Sequence, residues 1–286
     1  MFAQINGTKI YFDVEGSGYV PEGPKMVKKD VLFAIHGGPG SDHSDLKPWL
    51  TPLSEHVQIV YMDQRCNGQS ERVDPAICTF EQLADDIEAL KNYLGLEKIH
   101  ILGHSFGGMV AQHYAVKYAS SILKLFLICT APSKEFYKDA LEFAKKVATP
   151  EQVALIPEFF EGHIRDEEHA IAWWDAMFEL YFYNKDPQIM FETGNRPIGS
   201  QEVANYTFKY LMPQYDVRNQ IKNIKIPTLV VSGRHDWITP VTQGEVIHQL
   251  IDKSTFIVYE QSGHMPFIEE HQKFIADVSH FLLQEV

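Results

Sequence analysis

The stretch L-G-H-S-F-G-G-M-V, residues 102–110, places three glycines around one serine, between a β-prone run and a helical pattern. A serine that projects from a strand-to-helix turn sits on strained backbone, and the residues two before and two after it have no room for a Cβ atom. Gly103 and Gly107 occupy those positions around Ser105 in the pattern G-x-S-x-G. Gly108 lets the following helix approach the sheet. The stretch predicts strand, sharp turn and helix; a glycine-rich turn with an unreactive serine is the alternative.

Short apolar runs of strand length recur along the chain. They lie at residues 31–35, 57–62, 99–102, 123–129, 224–233 and 255–259. Near-continuous apolar runs are typical of strands buried on both faces, and the intervening segments have helical or loop character. The start of the chain instead alternates around Asn6-Gly7, a dipeptide that favours a type I′ hairpin turn. The pattern predicts a mostly parallel sheet that begins with an antiparallel hairpin.

Helical periodicity is clearest over residues 80–94, where Thr79 can cap the helix and Gln82 stands at the capping-box position. After residue 131 the strand–helix alternation stops, and residues 133 to about 220 are helical in character with clustered aromatics. A last amphipathic helix is expected from about 268 to 283. We therefore predict an α/β core, residues 1–131 and 222–286, with an inserted helical cap, residues 132–221.

Length, net charge and cysteine content exclude several classes of function. The 286 residues suffice for one large α/β domain with an insertion, and the net charge of −13 argues against nucleic acid as a partner. Three cysteines without C-x-x-C spacing indicate reduced thiols, so neither a disulfide framework nor a metal site is expected. No apolar run approaches the length of a membrane span and no leader is recognised, which predicts a cytoplasmic protein without a membrane partner. The oligomeric state is not indicated.

A serine hydroxyl needs a base and an orienting carboxylate before it acts as a nucleophile. In chains with this turn the expected order is serine, aspartate or glutamate, then histidine. Asp236 follows a buried strand in V-V-S-G-R-H-D-W, and His264 follows the last strand in Q-S-G-H-M-P. Taken alone, each residue has a non-catalytic alternative. Asp236 could cap the next helix, and His264 could be one surface histidine among 13. Their order and strand-end positions favour a triad with Ser105 over the neighbours His235 and Asp252.

Acyl transfer also needs hydrogen-bond donors for the developing oxyanion. The amide of Phe106, directly after the serine, is one candidate. The loop H-G-G-P-G, residues 36–40, follows an early strand, and we assign the second donor to Gly38. A phosphate-binding loop is the competing interpretation, but neither G-x-G-x-x-G nor G-K-[ST] is present.

The motifs H-G-G-P-G, D-Q-R-x-x-G-x-S (63–70), G-H-S-F-G-G, G-R-H-D-x-x-T-P and S-G-H together resemble the α/β-hydrolase superfamily, most of all its proline iminopeptidase branch. The resemblance covers roughly residues 1–131 and 222–286. It implies a helical cap over the site, no metal or other cofactor, and hydrolysis through an acyl-enzyme.

The chain departs from that branch at three positions. Cys66 replaces the glycine of D-Q-R-G, and Trp237 stands where an acidic residue follows the triad aspartate. Asn205 stands where the branch has an acidic residue late in the cap. Both expected anchors for a substrate's protonated amine are thus absent. Glu202 or the acidic run at 166–168 could compensate, although a solvated helix face is the alternative for that run.

These observations favour a serine hydrolase acting on a small carboxylic ester, lactone or amide. Proline iminopeptidase activity is the alternative, followed by a non-catalytic ligand-binding protein of the same fold. The same triad could also support perhydrolase or carbon–carbon bond hydrolase chemistry. The small-molecule substrate is expected to contact aromatic side chains, although packing within the cap is their other role. The candidate pocket residues are Trp173, Trp174, Phe178, Phe182 and Trp237.

Overall fold

The structure is a computed structural model that describes residues 1–194 and 196–284. Its strands are β1 (Phe2–Ile5), β2 (Thr8–Glu15), β3 (Tyr19–Glu22), β4 (Lys25–Lys28), β5 (Val31–Ile35), β6 (Gln58–Met62), β7 (Ile99–His104), β8 (Ile122–Ile128), β9 (Thr228–Gly233) and β10 (Ser254–Tyr259). Its α-helices are α1 (Phe80–Tyr93), α2 (Phe106–Lys117), α3 (Phe136–Val147), α4 (Pro150–Phe160), α5 (Glu167–Met177), α6 (Pro187–Gly194), α7 (Gln201–Tyr206), α8 (Arg218–Ile221), α9 (Val241–Leu250), α10 (Pro266–Glu269) and α11 (His271–Leu283).

Eight of the described strands form one sheet in the order β1-β2-β6-β5-β7-β8-β9-β10. β1 and β2 join it antiparallel, and every pair from β6 to β10 is parallel. β5, β7 and β9 are buried along their whole length, and β8 is buried at every position except Leu123, as the continuous apolar runs predict. The predicted α/β-hydrolase fold, a mostly parallel sheet flanked by helices, is confirmed.

Local sequence accounts for two element boundaries. Asn6 and Gly7 both have positive φ, 46° and 74°, which is the backbone of the predicted type I′ turn. Thr79 Oγ1 accepts the Gln82 amide at 3.2 Å and caps α1. The Gln82 side chain donates to Asp86 instead of returning to the cap residue, so only half of the predicted capping box forms.

The chain between β8 and β9 contains α3 to α8 and a π-helical turn, Thr207–Leu211. An isolated bridge between Ser133 and Asp216 brings the two ends of this segment together. Aromatic side chains fill its interior; Phe159, for example, stacks on Trp173 at a centroid distance of 4.6 Å. This helical segment lies over the carboxyl edge of the sheet, because its residues and the strand ends line one cavity.

None of the helices in the described ranges combines the length and the apolar character that crossing a membrane requires.

Candidate active site

Ser105 stands in the sharp turn between β7 and α2, with φ of 53° and ψ of −120°. A Cβ on Gly103 would lie 2.4 Å from the Gly107 carbonyl oxygen, and one on Gly107 would lie 2.3 Å from that of Ile35. A Cβ on Gly108 would approach Thr130 to 2.6 Å. The glycine pattern thus permits backbone contacts that no other residue allows, and these contacts hold the serine in its strained conformation.

The imidazole of His264 is joined to Asp236. Nδ1–H donates to Oδ2 at 2.8 Å, and both side chains are buried. Asp236 also accepts the amides of Ile238 and Thr239, at 2.8 and 3.0 Å, and the Thr239 hydroxyl at 2.8 Å. Asp236 therefore holds the turn at residues 237–239 and orients the histidine. It does not cap the next helix, α9, whose N-cap residue is Pro240, so that alternative is wrong. The Nε2 atom of His264 stays available to Ser105, which lines the same cavity.

Burial by itself would raise the pKa of Asp236. The charge and hydrogen bond of His264, together with the Thr239 donors, outweigh that effect and hold the pKa below its usual value. Asp236 therefore stays ionised at neutral pH and fixes the proton of His264 on Nδ1.

The loop that carries His264 is held by groups that sequence patterns do not reveal. The Glu269 carboxylate accepts the amides of Gly263, at 2.6 Å, and of Tyr183, at 2.7 Å. The His264 amide donates to the Tyr181 carbonyl at 2.8 Å. Tyr181 and Tyr183 belong to the helical segment, so the position of the histidine depends on contacts between distant parts of the chain.

His104 also holds the loop that carries His264. Its Nε2–H donates to the His264 carbonyl oxygen at 3.0 Å. Burial is the main cause that lowers the pKa of His104 to about 3, so this ring is neutral at physiological pH. No signal in the sequence distinguishes His104 from an ordinary core histidine, since only its contact with a distant loop gives it this role.

The two predicted oxyanion donors belong to residues that line the same cavity as Ser105. Gly38 and Phe106 both line the cavity, and within residues 1–194 and 196–284 neither backbone amide donates a hydrogen bond. Gly38 has φ of 113°, which only glycine adopts readily. The loop is fixed further along, where the Gly40 amide donates to Asn67 Oδ1 at 2.8 Å. Two amide hydrogens thus remain free for a substrate oxygen.

The cavity has a volume of about 860 Å³ and a mostly apolar wall. Of the predicted aromatic residues, Trp173, Trp174 and Phe178 line it. Phe182 and Trp237 are not among its lining residues, which corrects that part of the prediction. Phe182 packs edge-on against Phe178 at 5.2 Å, and the fully buried Trp237 contacts Phe160 and Tyr181.

Two carboxyl groups on the cavity wall were not predicted, that of Asp45 and that of the exposed Asp175. Asp45 follows the Gly38 loop and lines the cavity with Ser41 and His264. Burial raises the pKa of Asp45 to about 7, more than nearby Ser41 and His264 lower it. Asp45 belongs to no motif, so the sequence alone gives no reason to select it.

The structure also locates the other positions considered as anchors for a substrate's amine. Asn205 holds the backbone of Ile164 through its Oδ1 and Nδ2 atoms, at 3.1 and 2.6 Å. Glu202 is exposed outside the cavity lining, whereas the exposed Glu167, from the run 166–168, lies at the cavity wall.

Neither weaker triad candidate reaches the site. His235 stacks on Tyr183 at 4.1 Å, and Asp252 pairs with Lys225 at the surface.

Within the described residues, one group of side chains has the composition of a metal site. The potential ligand atoms of Cys129, Asp236 and His264 lie within 4.8 Å of one another. The aspartate and histidine atoms are already hydrogen-bonded to each other at 2.8 Å. Their arrangement therefore fits a proton-transfer pair better than a vacant ligand set.

Comparisons with known proteins agree with this architecture. The chain is 29% identical over 289 residues to the proline iminopeptidase PfmaB of Pestalotiopsis fici, with 97% of each chain covered. It is 30% identical over 279 residues to the proline iminopeptidase of Lactobacillus helveticus, with 90% of each covered. The fold is also similar to that of the enol-lactonase of Burkholderia xenovorans, with a TM-score of 0.76, 24% identity and coverage of 99% and 100%. A family model described as the alpha/beta hydrolase fold matches residues 30–271, and the chain therefore belongs to the α/β-hydrolase family.

Proposed function

We propose that the protein is a serine hydrolase that cleaves small carboxylic esters, lactones or amides through an acyl-enzyme. One observation carries the proposal: His264, which is hydrogen-bonded to the buried Asp236 at 2.8 Å, lines the same cavity as Ser105, a serine on strained backbone. A base oriented by a carboxylate next to a projecting hydroxyl is the arrangement that nucleophilic acyl transfer needs.

In the proposed reaction, His264 Nε2 removes the proton of the Ser105 hydroxyl while Oγ attacks the substrate carbonyl carbon. The amides of Gly38 and Phe106 donate to the resulting oxyanion. Asp236 stays ionised and stabilises the imidazolium. His264 then protonates the leaving alcohol or amine, and a water molecule activated by the same imidazole hydrolyses the acyl-enzyme.

The wall of the cavity supports an apolar substrate group. Trp174, Phe191 and Ile198 bring apolar surface to the cavity and are partly exposed to solvent. Burial of an acyl chain against such side chains contributes about 25 cal/mol for each Å² removed from water.

A panel of substrates tests the proposal. Folded protein is assayed with p-nitrophenyl acetate and butyrate, aliphatic lactones, and proline and alanine arylamides, and is labelled with a fluorophosphonate. We expect turnover of esters to exceed that of arylamides and expect labelling at Ser105. Absence of labelling in folded protein would favour the non-catalytic ligand-binding alternative and contradict the proposal.

Proline iminopeptidase activity is the second candidate. The relatives at 29% and 30% identity carry that name, and Asp45 places a carboxyl group on the cavity wall. A substrate ammonium beside Asp45 would favour its ionised form and gain a charge-assisted hydrogen bond.

Substitution of Asp45 separates the two candidates. If the enzyme is an iminopeptidase anchored at Asp45, Asp45→Asn lowers kcat/KM for proline arylamide by at least about tenfold, equivalent to about 1.4 kcal/mol, and N-acetylation of the substrate abolishes turnover. Glu167→Gln, at an exposed carboxyl of the same cavity, is the matched control. Arylamide turnover far above ester turnover would reverse our ranking.

A further inference from the structure

Two cysteines that the proposed reaction does not use lie in direct contact. The sulfur atoms of Cys66 and Cys78 are 3.2 Å apart, although the residues are separated by 12 positions. Both residues are free and buried, with exposures of 2% and 1%. A disulfide requires a sulfur–sulfur distance of about 2.05 Å. A movement of little more than 1 Å would therefore suffice to join them.

The hydrogen bonds of this pair indicate which of the two thiols is the more reactive. Cys78 Sγ–H donates to Cys66 Sγ, and Cys66 Sγ–H donates to the Val73 carbonyl oxygen at 3.2 Å. The Cys78 hydrogen bond is the main cause that lowers the pKa of Cys66 to about 7, and the Arg65 guanidinium acts in the same direction. The pKa of Cys78 is raised, chiefly because its proton is held in that bond. Cys66 is thus the thiol with the greater thiolate character.

The pair is connected to the Gly38 loop along two routes. Asn67, the next residue after Cys66, accepts the Gly40 amide at 2.8 Å. Val203 of α7 belongs to the same buried cluster as the two cysteines. The adjacent residue Ala204 lies next to Gly40, where an added Cβ would meet its side chain at 3.1 Å. A displacement of the cysteines therefore reaches the backbone that positions the proposed oxyanion donor.

We propose that Cys66 and Cys78 form a reversible disulfide when the protein meets hydrogen peroxide, and that this disulfide lowers the hydrolase activity through the Asn67–Gly40 contact. The second part rests on the proposed function. The Cys66 thiolate attacks the peroxide, breaking the O–O bond; it becomes a sulfenic acid, and the released hydroxide takes up a proton to form water. The Cys78 thiolate then attacks the sulfenic sulfur, the S–O bond breaks, and the second water leaves with the Cys78 proton. Two thiols are oxidised and one peroxide is reduced to two waters.

Mass spectrometry tests the disulfide independently of activity. Wild-type protein is treated with hydrogen peroxide, alkylated before and after reduction with dithiothreitol, and mapped by peptides. We expect the intact mass to fall by two hydrogens, with Cys66 and Cys78 protected together and restored by the reductant. Cys129 serves as an internal reference, because burial raises its pKa well above the usual value and it should stay reduced.

The rate of fluorophosphonate labelling at Ser105 tests the consequence for the site. A shift of about 1 Å in a supporting group predicts a fall of between roughly threefold and 100-fold on oxidation, reversed by reduction. Cys66→Ser and Cys78→Ser should both lack the protection and the rate change. Oxidation of Cys66 to a sulfinic acid without a disulfide would overturn the proposal, as would a disulfide that leaves the labelling rate unchanged. Failure of the reduced protein to label would instead count against the proposed function.

Discussion

The cavity is bounded by two regions of different construction. The sheet edge contributes backbone turns and hydrogen-bonded polar groups, such as Asp236 with its four donors. The helical segment between β8 and β9 contributes aromatic side chains held mainly by packing, with Phe159, Trp173 and Trp174 in mutual contact. Hydrogen bonds and strained turns fix atoms within tenths of an ångström, whereas apolar contacts are less directional. We infer that the sheet edge determines the chemistry and the helical segment determines the substrate.

The largest expected effect is at the sheet edge. Ser105→Ala should lower kcat by a factor of about 10,000 or more, because the nucleophile is removed. The thermal midpoint should stay close to that of the wild type, since the serine hydroxyl makes no hydrogen bond within the described residues. Steady-state kinetics and calorimetry on one preparation measure both. Activity near the wild-type level would break the assignment of chemistry to this edge.

Asp236→Asn should cost nearly as much, about 1,000-fold to 10,000-fold in kcat, because the amide would favour the wrong tautomer of His264. Asp252→Asn is the matched control, since Asp252 lies at the surface with Lys225, and its kcat should be unchanged. Similar losses in both variants would show that the effect is not specific to the histidine contact.

Gly103→Ala tests the turn itself. The new Cβ would meet the Gly107 carbonyl at 2.4 Å, so we expect a loss of about 3 kcal/mol in the free energy of unfolding. Gly199→Ala is the control, because an added Cβ there meets nothing within 4 Å. Denaturant unfolding measures both, and equal stability of the two variants would contradict the packing argument.

Asp45→Asn should change the pH dependence of stability. Because burial raises the pKa of Asp45 from 3.8 to about 7, the folded state keeps a proton that the unfolded state loses between those values. The free energy of unfolding of the wild type should therefore fall as the pH rises from about 4 to 8. In the variant this fall should be smaller by about 1–2 kcal/mol. Unfolding free energies of both proteins at pH 5 and pH 8 measure this effect. A difference between the two proteins that is the same at both pH values would refute the raised pKa of Asp45.

The smallest effect on kcat is expected in the helical segment. Trp174 is 37% exposed at the cavity, so Trp174→Ala should raise KM for an apolar ester about threefold and leave kcat and stability nearly unchanged. Trp173 is buried and donates to the Leu155 carbonyl at 2.9 Å, so Trp173→Ala should cost about 3–5 kcal/mol of stability. A large loss of kcat in Trp174→Ala would mean that the helical segment takes part in the chemistry.

Prediction from sequence succeeds where one short stretch determines its own backbone. The Asn6-Gly7 turn, the Thr79 cap and the apolar strands follow from local conformational preference and burial. The β3–β4 hairpin escapes detection because both of its strands are exposed on both faces and carry no hydrophobic alternation. The roles of Phe182 and Trp237 were also unpredictable, since aromatic residues of a packed helical segment and of a pocket wall have the same composition.

The amino-acid sequence by itself determined the parallel sheet, the strained serine turn and the order of the three proposed catalytic residues, because periodicity and glycine spacing act over a few neighbouring positions. Only the tertiary structure decided that Glu269, Tyr181 and His104 hold the His264 loop, that Asp45 faces the cavity, and that Cys66 meets Cys78. The physical reason is that these contacts join residues from different elements. Their distances depend on how the strands and helices pack together, which no local pattern specifies.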